Sequence, residues 1–159
     1  KPRKIEISLL IGSCMYKRKA RILFLCADNS CRSQMAEGYA NALGSDRVEA
    51  KSAGIEAHNK NPRAISIMAE DGVDISQQES TVVDNDIMEW ADLIVTVSAY
   101  ANEHCPATPP TALKKYWPMD DPAKSTGSEE EITEQFREVR NEIKRRVNSL
   151  LGGLRMMEK

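Results

Sequence analysis

Cys26 and Arg32, separated by five residues in Cys26-Ala27-Asp28-Asn29-Ser30-Cys31-Arg32, are the side chains best suited to chemistry in this sequence. A cysteine attacks as its thiolate, and a guanidinium, loop amides and a helix N-terminus all favour that charged form. Arg32 also presents a planar fork of donors to a tetrahedral oxyanion. Ser33 has a hydroxyl to donate to the sulfur. Asn29 is of a type that tolerates left-handed backbone and braces loops through its amide. Taken alone, a bare Cys-x5-Arg pattern favours a buried structural cysteine before an ordinary helix over a nucleophile. The flanking elements decide between the two.

Ile22 to Leu25 form a short continuous apolar run, as suits a strand buried on both faces. From Arg32 onward Met35, Ala36, Tyr39, Ala40 and Leu43 recur at helical spacing, and Gly44 supplies a stop. A strand that enters a helix through so tight a loop turns several backbone N–H groups into one concavity, a socket for an oxyanion. Val48 to Ser52 predicts a second strand ending at Ala53-Gly54. Asn61-Pro62 predicts a helix start, with Ile65, Met68 and Ala69 on one face and Gly72 at the end. Asp84 to Trp90 reads as a helical turn, Asp92 to Val97 as a third buried strand, and Lys114 to Met119 as a short last strand. Ser128 and Glu131 form a capping box for a final helix with an apolar stripe of Ile132, Phe136, Val139, Ile143, Val147 and Leu151. Gly152-Gly153 is expected to end that helix and leave a frayed Met-rich tail. Alternating strands and helices argue for a parallel sheet with helices on both faces, its site beyond the carboxyl ends of the strands. Cys26 and the segment after Val97 should therefore meet at one edge.

The run Cys26 to Gly38, Cys-Ala-Asp-Asn-Ser-Cys-Arg-Ser-Gln-Met-Ala-Glu-Gly, resembles the signature of the thioredoxin-coupled arsenate reductases built on the low-molecular-weight tyrosine phosphatase fold. The resemblance extends from about Ala20 to about Val147, and its Ser-Gln-Met-Ala-Glu-Gly continuation points to the reductase branch. It implies a three-layer α/β domain with a four-stranded parallel sheet, an arsenate or phosphate oxyanion held by residues 27–33, and Cys26 as nucleophile. It also implies a general acid at the aspartate directly before a proline, here Asp121 in Asp120-Asp121-Pro122. The phosphatase branch follows that Asp-Pro with aromatic residues that grip a phenyl ring; Ala123-Lys124 stand here instead. Reducing equivalents would come from thioredoxin or a comparable thiol, with no tightly bound cofactor. A monomer is expected.

Four positions depart from the family pattern. Its redox segment carries two cysteines; the second matches Cys105, followed by Pro106, but Ser98 holds the place of the first. A hydroxyl attacks a sulfur far more poorly than a thiolate does. Three explanations stand: an engineered replacement that traps an intermediate, direct attack by Cys105 on Cys26, or resolution by an external thiol or redoxin. His104, next to Cys105, reads as a solvated loop histidine rather than as an aid to its deprotonation. Asp28 puts a negative charge where the family often has a small neutral residue. Some members bind potassium near positions matching Asn29, Glu37 and Ser52, yet two further positions of that site are Glu79 and Thr81 here and differ. Besides reduction of arsenate, the same loop would suit a phosphatase, or an oxyanion-binding sensor that lacks redox turnover.

At 159 residues, 41% of them hydrophobic, with a net charge of −2, the chain suits a globular domain without a nucleic-acid footprint. No apolar run approaches bilayer-spanning length. Four cysteines (Cys14, Cys26, Cys31, Cys105) and two histidines lack metal-ligand spacing, which argues against structural zinc. Read as reactive, the cysteines imply a reducing, cytoplasmic setting. His58 reads as a surface histidine. Residues 1–15 do not fit the domain expected over 16–159. Their basic start, short apolar stretch and Cys14 are similar to a lipoprotein signal, but Glu6 precedes an apolar run too short for one. An upstream or added extension is the expectation.

Overall fold

A computed structural model describes residues 18–157, with side chains described to residue 154. The expected extension over residues 1–15, with Cys14, lies outside the described residues. Four strands, β1 (Ala20–Cys26), β2 (Val48–Gly54), β3 (Leu93–Thr96) and β4 (Leu113–Tyr116), form one sheet in the order β2-β1-β3-β4. All three pairings are parallel, with Cys26 opposite Gly54 and Leu25 opposite Thr96. The helices are α1 (Arg32–Leu43), α2 (Pro62–Glu70), α3 (Asn85–Trp90), α4 (Ala99–His104) and α5 (Glu129–Met157), with a 3-10 turn at Pro122–Lys124.

Alternation along β1 divides the core. Ile22, Phe24 and Cys26 face a cluster with Met35, Tyr39, Met68, Phe136 and Ile143, under α1, α2 and α5. Leu23 and Leu25 face a second cluster with Met88, Ala91, Ile94 and Ala101, under α3 and α4. The expected three layers with a four-stranded parallel sheet are therefore present.

Local signals hold where a side chain satisfies a backbone group. The Asn61 side chain accepts from Arg63 N at 2.9 Å before Pro62, and the Ser128–Glu131 capping box closes with bonds of 2.8 and 3.1 Å. Gly72 has a φ of +82°, the left-handed conformation that stops α2. Four expectations need correction. On α2, Met68 is buried and Ile65 packs partly against the core as expected, but Ala64 and Ile67 complete the inner face and Ala69 is exposed, because it lies on the far side of the helix from the 64-67-68 stripe. The last strand is shorter than predicted, ending at Tyr116, since Trp117 turns inward against Phe24 with ring centroids 5.8 Å apart. Residues 99–104 form a helix, so His104 sits on α4 with its ring stacked on Tyr100 at 4.0 Å. Finally, α5 runs through Gly152 and Gly153. Glycine costs roughly 1 kcal/mol in a helix, and the inward packing of Leu150, Leu151 and Leu154 on both sides of the pair offsets that.

Candidate functional site

The loop between β1 and α1 is held by its carbonyls. Cys26 O accepts from Ile55 N (3.2 Å), Ala27 O from Glu56 N (2.9 Å), Asp28 O from His58 N (3.0 Å) and Ser30 O from Asn61 N (2.8 Å). Asn29 O accepts from Gln34 Nε2 at 3.0 Å and from Ser80 Oγ at 3.1 Å. Every carbonyl from residue 26 to 30 is thus drawn towards surrounding segments, and Asn29 adopts a φ of +53° to permit the turn. A peptide plane that points its C=O one way points its N–H the other, so the arrangement suits a socket lined by donors. Cys31 occupies the N-cap of α1 without a side-chain cap, and the first turn carries no acidic residue. The helix N-terminus is therefore left to a ligand.

Cys26 is 1% exposed. Its sulfur receives Asn29 N at 3.2 Å and lies 2.7 Å from Ser33 Oγ. Asn29 Nδ2 in turn donates to Ser33 Oγ at 2.8 Å, so the amide braces the hydroxyl as the residue types suggested. Arg32 is buried, and its Nη1 donates to Met119 O at 2.8 Å and Val97 O at 3.3 Å. Those carbonyls follow β4 and β3, so the guanidinium ties the loop to the carboxyl edge of the sheet. Asp121 joins from the same edge: one carboxylate oxygen accepts from Ala123 N at 3.0 Å, and the other lies 3.6 Å from Arg32 Nη2. The Cys31 thiol is pushed up by burial, with Asp121 adding to the effect, which keeps it protonated beside Cys26. Asp28 turns one oxygen back onto Ser30 N (3.2 Å) and Ser30 Oγ (2.8 Å), and its charge still acts on the loop, adding to the upward shift of the Cys31 thiol.

The positions matched to a potassium site form a closed hydrogen-bond chain. Ser52 Oγ donates to Glu37 Oε1 at 2.6 Å and accepts from Asn29 Nδ2 at 3.0 Å, while Asn29 Oδ1 accepts from Thr81 N at 2.8 Å. A hard cation needs converging oxygen lone pairs, whereas Asn29 here offers an NH2 and Ser52 a hydroxyl used in both directions. The residues as placed do not fit a cation, and no group of three or more metal-binding side chains occurs among the described residues. Burial raises the Glu37 carboxyl to about 6, opposed by the Ser52 hydrogen bond and the Lys60 charge. Glu79 and Thr81 take part through their backbone, Glu79 O accepting from Gln34 Nε2 at 3.0 Å, so their side-chain types matter little there.

The redox segment is placed differently. Ser98 is buried directly after Val97, and its hydroxyl caps α4 by accepting from Ala101 N at 3.1 Å. Cys105 lies at the other end of α4, partly buried against the Leu23–Leu25 cluster on the sheet face opposite Cys26. Burial raises its thiol above the ordinary range, and Lys114 opposes that weakly. It is a free thiol, and the structure does not bring it into the Cys26 loop. His58 is exposed and pairs with Glu56 at 2.8 Å, as a surface histidine would.

Several supports escape a reading of motifs. Backbone N–H groups of residues 55–61, together with Gln34, Ser80 and Thr81, hold the loop, and nothing in their types announces it. Gly54 was legible as a turn, but its function is closeness: a Cβ there would clash with Glu56 O and lie 2.7 Å from Asn29 N.

The family described as low molecular weight phosphotyrosine protein phosphatase matches residues 21–159. An arsenate reductase of Bacillus licheniformis is 50% identical over 129 residues, covering 81% of this chain and 93% of that protein. A solved arsenate reductase in its phosphate-binding state superposes with a TM-score of 0.71 at 32% identity, covering 85% of this chain and 98% of the other. A thioredoxin-dependent arsenate reductase of Corynebacterium glutamicum shares the fold with a TM-score of 0.72 at 22% identity, covering 98% of this chain and 71% of that one.

Proposed function

The chain belongs to the low molecular weight phosphotyrosine protein phosphatase family, and within it we propose an arsenate reductase that works through a covalent adduct on Cys26. The loop geometry carries the chemistry: a buried sulfur takes hydrogen bonds inside a turn whose carbonyls all point away. The loop alone would serve a phosphate ester equally, and the half-identity to an arsenate reductase over nearly its whole length favours arsenate. The absence of an aromatic residue at Ala123-Lys124 argues the same way.

In this reading the donors of residues 27–33 and Arg32 hold arsenate at the helix N-terminus, and the Cys26 sulfur attacks arsenic(V). Asp121, within the reach of Arg32 at the sheet edge, gives a proton to the departing oxygen, which leaves as water. A second thiolate then attacks the Cys26 sulfur. The sulfur–arsenic bond breaks with its electron pair passing to arsenic, which leaves as arsenite, and a disulfide remains. A thiol reductant restores the two sulfhydryls; a redoxin of the thioredoxin type fits, because its own vicinal thiols carry the two electrons onward. Such a cycle belongs in a reducing, cytoplasmic setting, and no helix among the described residues is long and apolar enough to cross a membrane.

Arsenite formation with a dithiol and thioredoxin tests the reading. The Cys26→Ser variant should fall by on the order of a thousandfold or more while still binding phosphate, since the loop donors persist. Arsenite production that survives the substitution would sink the mechanism.

A further inference from the structure

Lys60 bridges the two segments that grip the Cys26 loop. It is the penultimate residue of the run 55–61, whose amides hold the loop carbonyls, and precedes Asn61, whose N–H donates to Ser30 O at 2.8 Å. Its ammonium reaches across to the second segment, donating to Ile75 O at 2.9 Å, to Ser76 O at 2.6 Å and to Gln78 O. An ammonium has three donors, and all three are spent on backbone carbonyls of a single turn. Its charge acts on the carboxyls of Glu37 and Asp74.

Residues 78–81, directly after that turn, connect it to the nucleophile. Gln78 Nε2 donates to Gln34 O and Oε1 at 3.0 and 2.8 Å, Ser80 Oγ donates to Asn29 O, and Thr81 N donates to Asn29 Oδ1. Asn29 then supplies the sulfur with an N–H and braces Ser33, the sulfur's other partner. Held on both sides, Asn29 keeps its left-handed backbone without glycine's freedom.

We propose that Lys60 is a positioning residue for Cys26: its ammonium clamps the carbonyls of residues 75, 76 and 78, so that residues 78–81 fix Asn29 with its donors on the Cys26–Ser33 pair. The assignment rests on Cys26 as the nucleophile. Lys60 touches neither substrate nor sulfur and acts only through the segment it fixes. An apolar chain in its place would take the ammonium from Ser76 O and Gln78 O and leave Ile75 O with Gln78 N at 3.2 Å, so the turn would relax and Asn29 would lose its fixed aim.

The test is the rate of Cys26 carboxamidomethylation at neutral pH, followed by peptide mapping, beside kcat and KM for arsenate and a thermal melt. Lys60→Met is expected to slow Cys26 modification about tenfold and to lower kcat in proportion, with KM moving less than about threefold. Lys60→Arg, which keeps charge and donors, should recover most of the rate. Ser80→Ala should slow modification a few-fold, and adding it to Lys60→Met should slow it little further, because both act through one segment. Should Lys60→Met lower the melting temperature while Cys26 reacts at the wild-type rate, or should the two effects multiply as independent ones do, the proposal is overturned. Wild-type Cys26 reacting no faster than Cys105 would instead remove the nucleophile assignment, and the positioning role with it.

Discussion

The Cys26–Arg32 loop and the Ser98–Cys105 segment would carry the two halves of one reaction, yet they are built in opposite ways. Each carbonyl from residue 26 to 30 has a partner outside the loop, and Arg32 is tied to the ends of two strands. The loop is arranged before any ligand arrives, as stabilisation of a developing charge requires. By contrast, the redox segment is a helix of six residues that covers about 9 Å and puts its one thiol at the far end, on the other sheet face. In the proposed cycle, capture of the oxyanion would need no rearrangement, whereas delivery of a thiol from position 105 would need the segment around α4 to move. The position beside the loop is 98, next to the carbonyl that Arg32 holds, and it carries a hydroxyl.

The sharpest way to break the contrast is to disorder the rigid half. Gly54→Ala would drive a methyl group into Glu56 O and to within 2.8 Å of Asp28 C, all main-chain atoms that yield only if the loop moves. A displacement of about 1 Å at a reacting centre costs on the order of a hundredfold, and phosphate affinity and arsenite formation should fall together by that factor. Equal loss in Ala69→Ser, on the exposed side of α2, would show the effect to be general destabilisation.

Repairing the other half should do the reverse. Ser98→Cys places a thiol beside the loop, and thioredoxin-coupled turnover should rise on the order of tenfold while single-turnover adduct formation stays unchanged. Because sulfur accepts weakly from Ala101 N, the same variant should lose about 1 kcal/mol in urea unfolding. Turnover that does not respond would place the resolving thiol on another molecule.

The smallest effect concerns the chain behind Asn29. Glu37 titrates near 6 in the folded protein against an ordinary 4.5, so its ionised form is disfavoured by folding. Its contribution is therefore fully present below pH 4.5 and is lost as pH rises past 6. Glu37→Gln, neutral throughout, should match the wild type near pH 4.5 and gain on it by about 2 kcal/mol by pH 7 in paired unfolding curves. A constant difference across that range would show that Glu37 is not the group that titrates.

How much of this is legible in the sequence depends on the range of each force. The socket is readable because its determinants are consecutive: an apolar strand, a five-residue connection, a helix with no side-chain cap of its own. Asn29 and Ser33 act on a sulfur within seven residues, so their types suffice. The end of α5 is misread because the penalty of two glycines is local, whereas the packing of Leu150 and Leu154 that overrides it comes from another layer. Cys105 can be matched but not placed, since the face a helix-end thiol occupies depends on which cluster its helix covers.

By itself the sequence pointed to the layers, to most of the strands and helices in order, and to Cys26 with Arg32 as the candidate pair, because alternation, capping and a tight strand-to-helix turn are properties of neighbouring residues. Only the tertiary structure decided that Ile55 to Asn61 and Lys60 with residues 75–81 hold the loop open. Those contacts are made by backbone groups and a lysine, which every sequence has, and they gain meaning only when strands distant in the chain lie side by side.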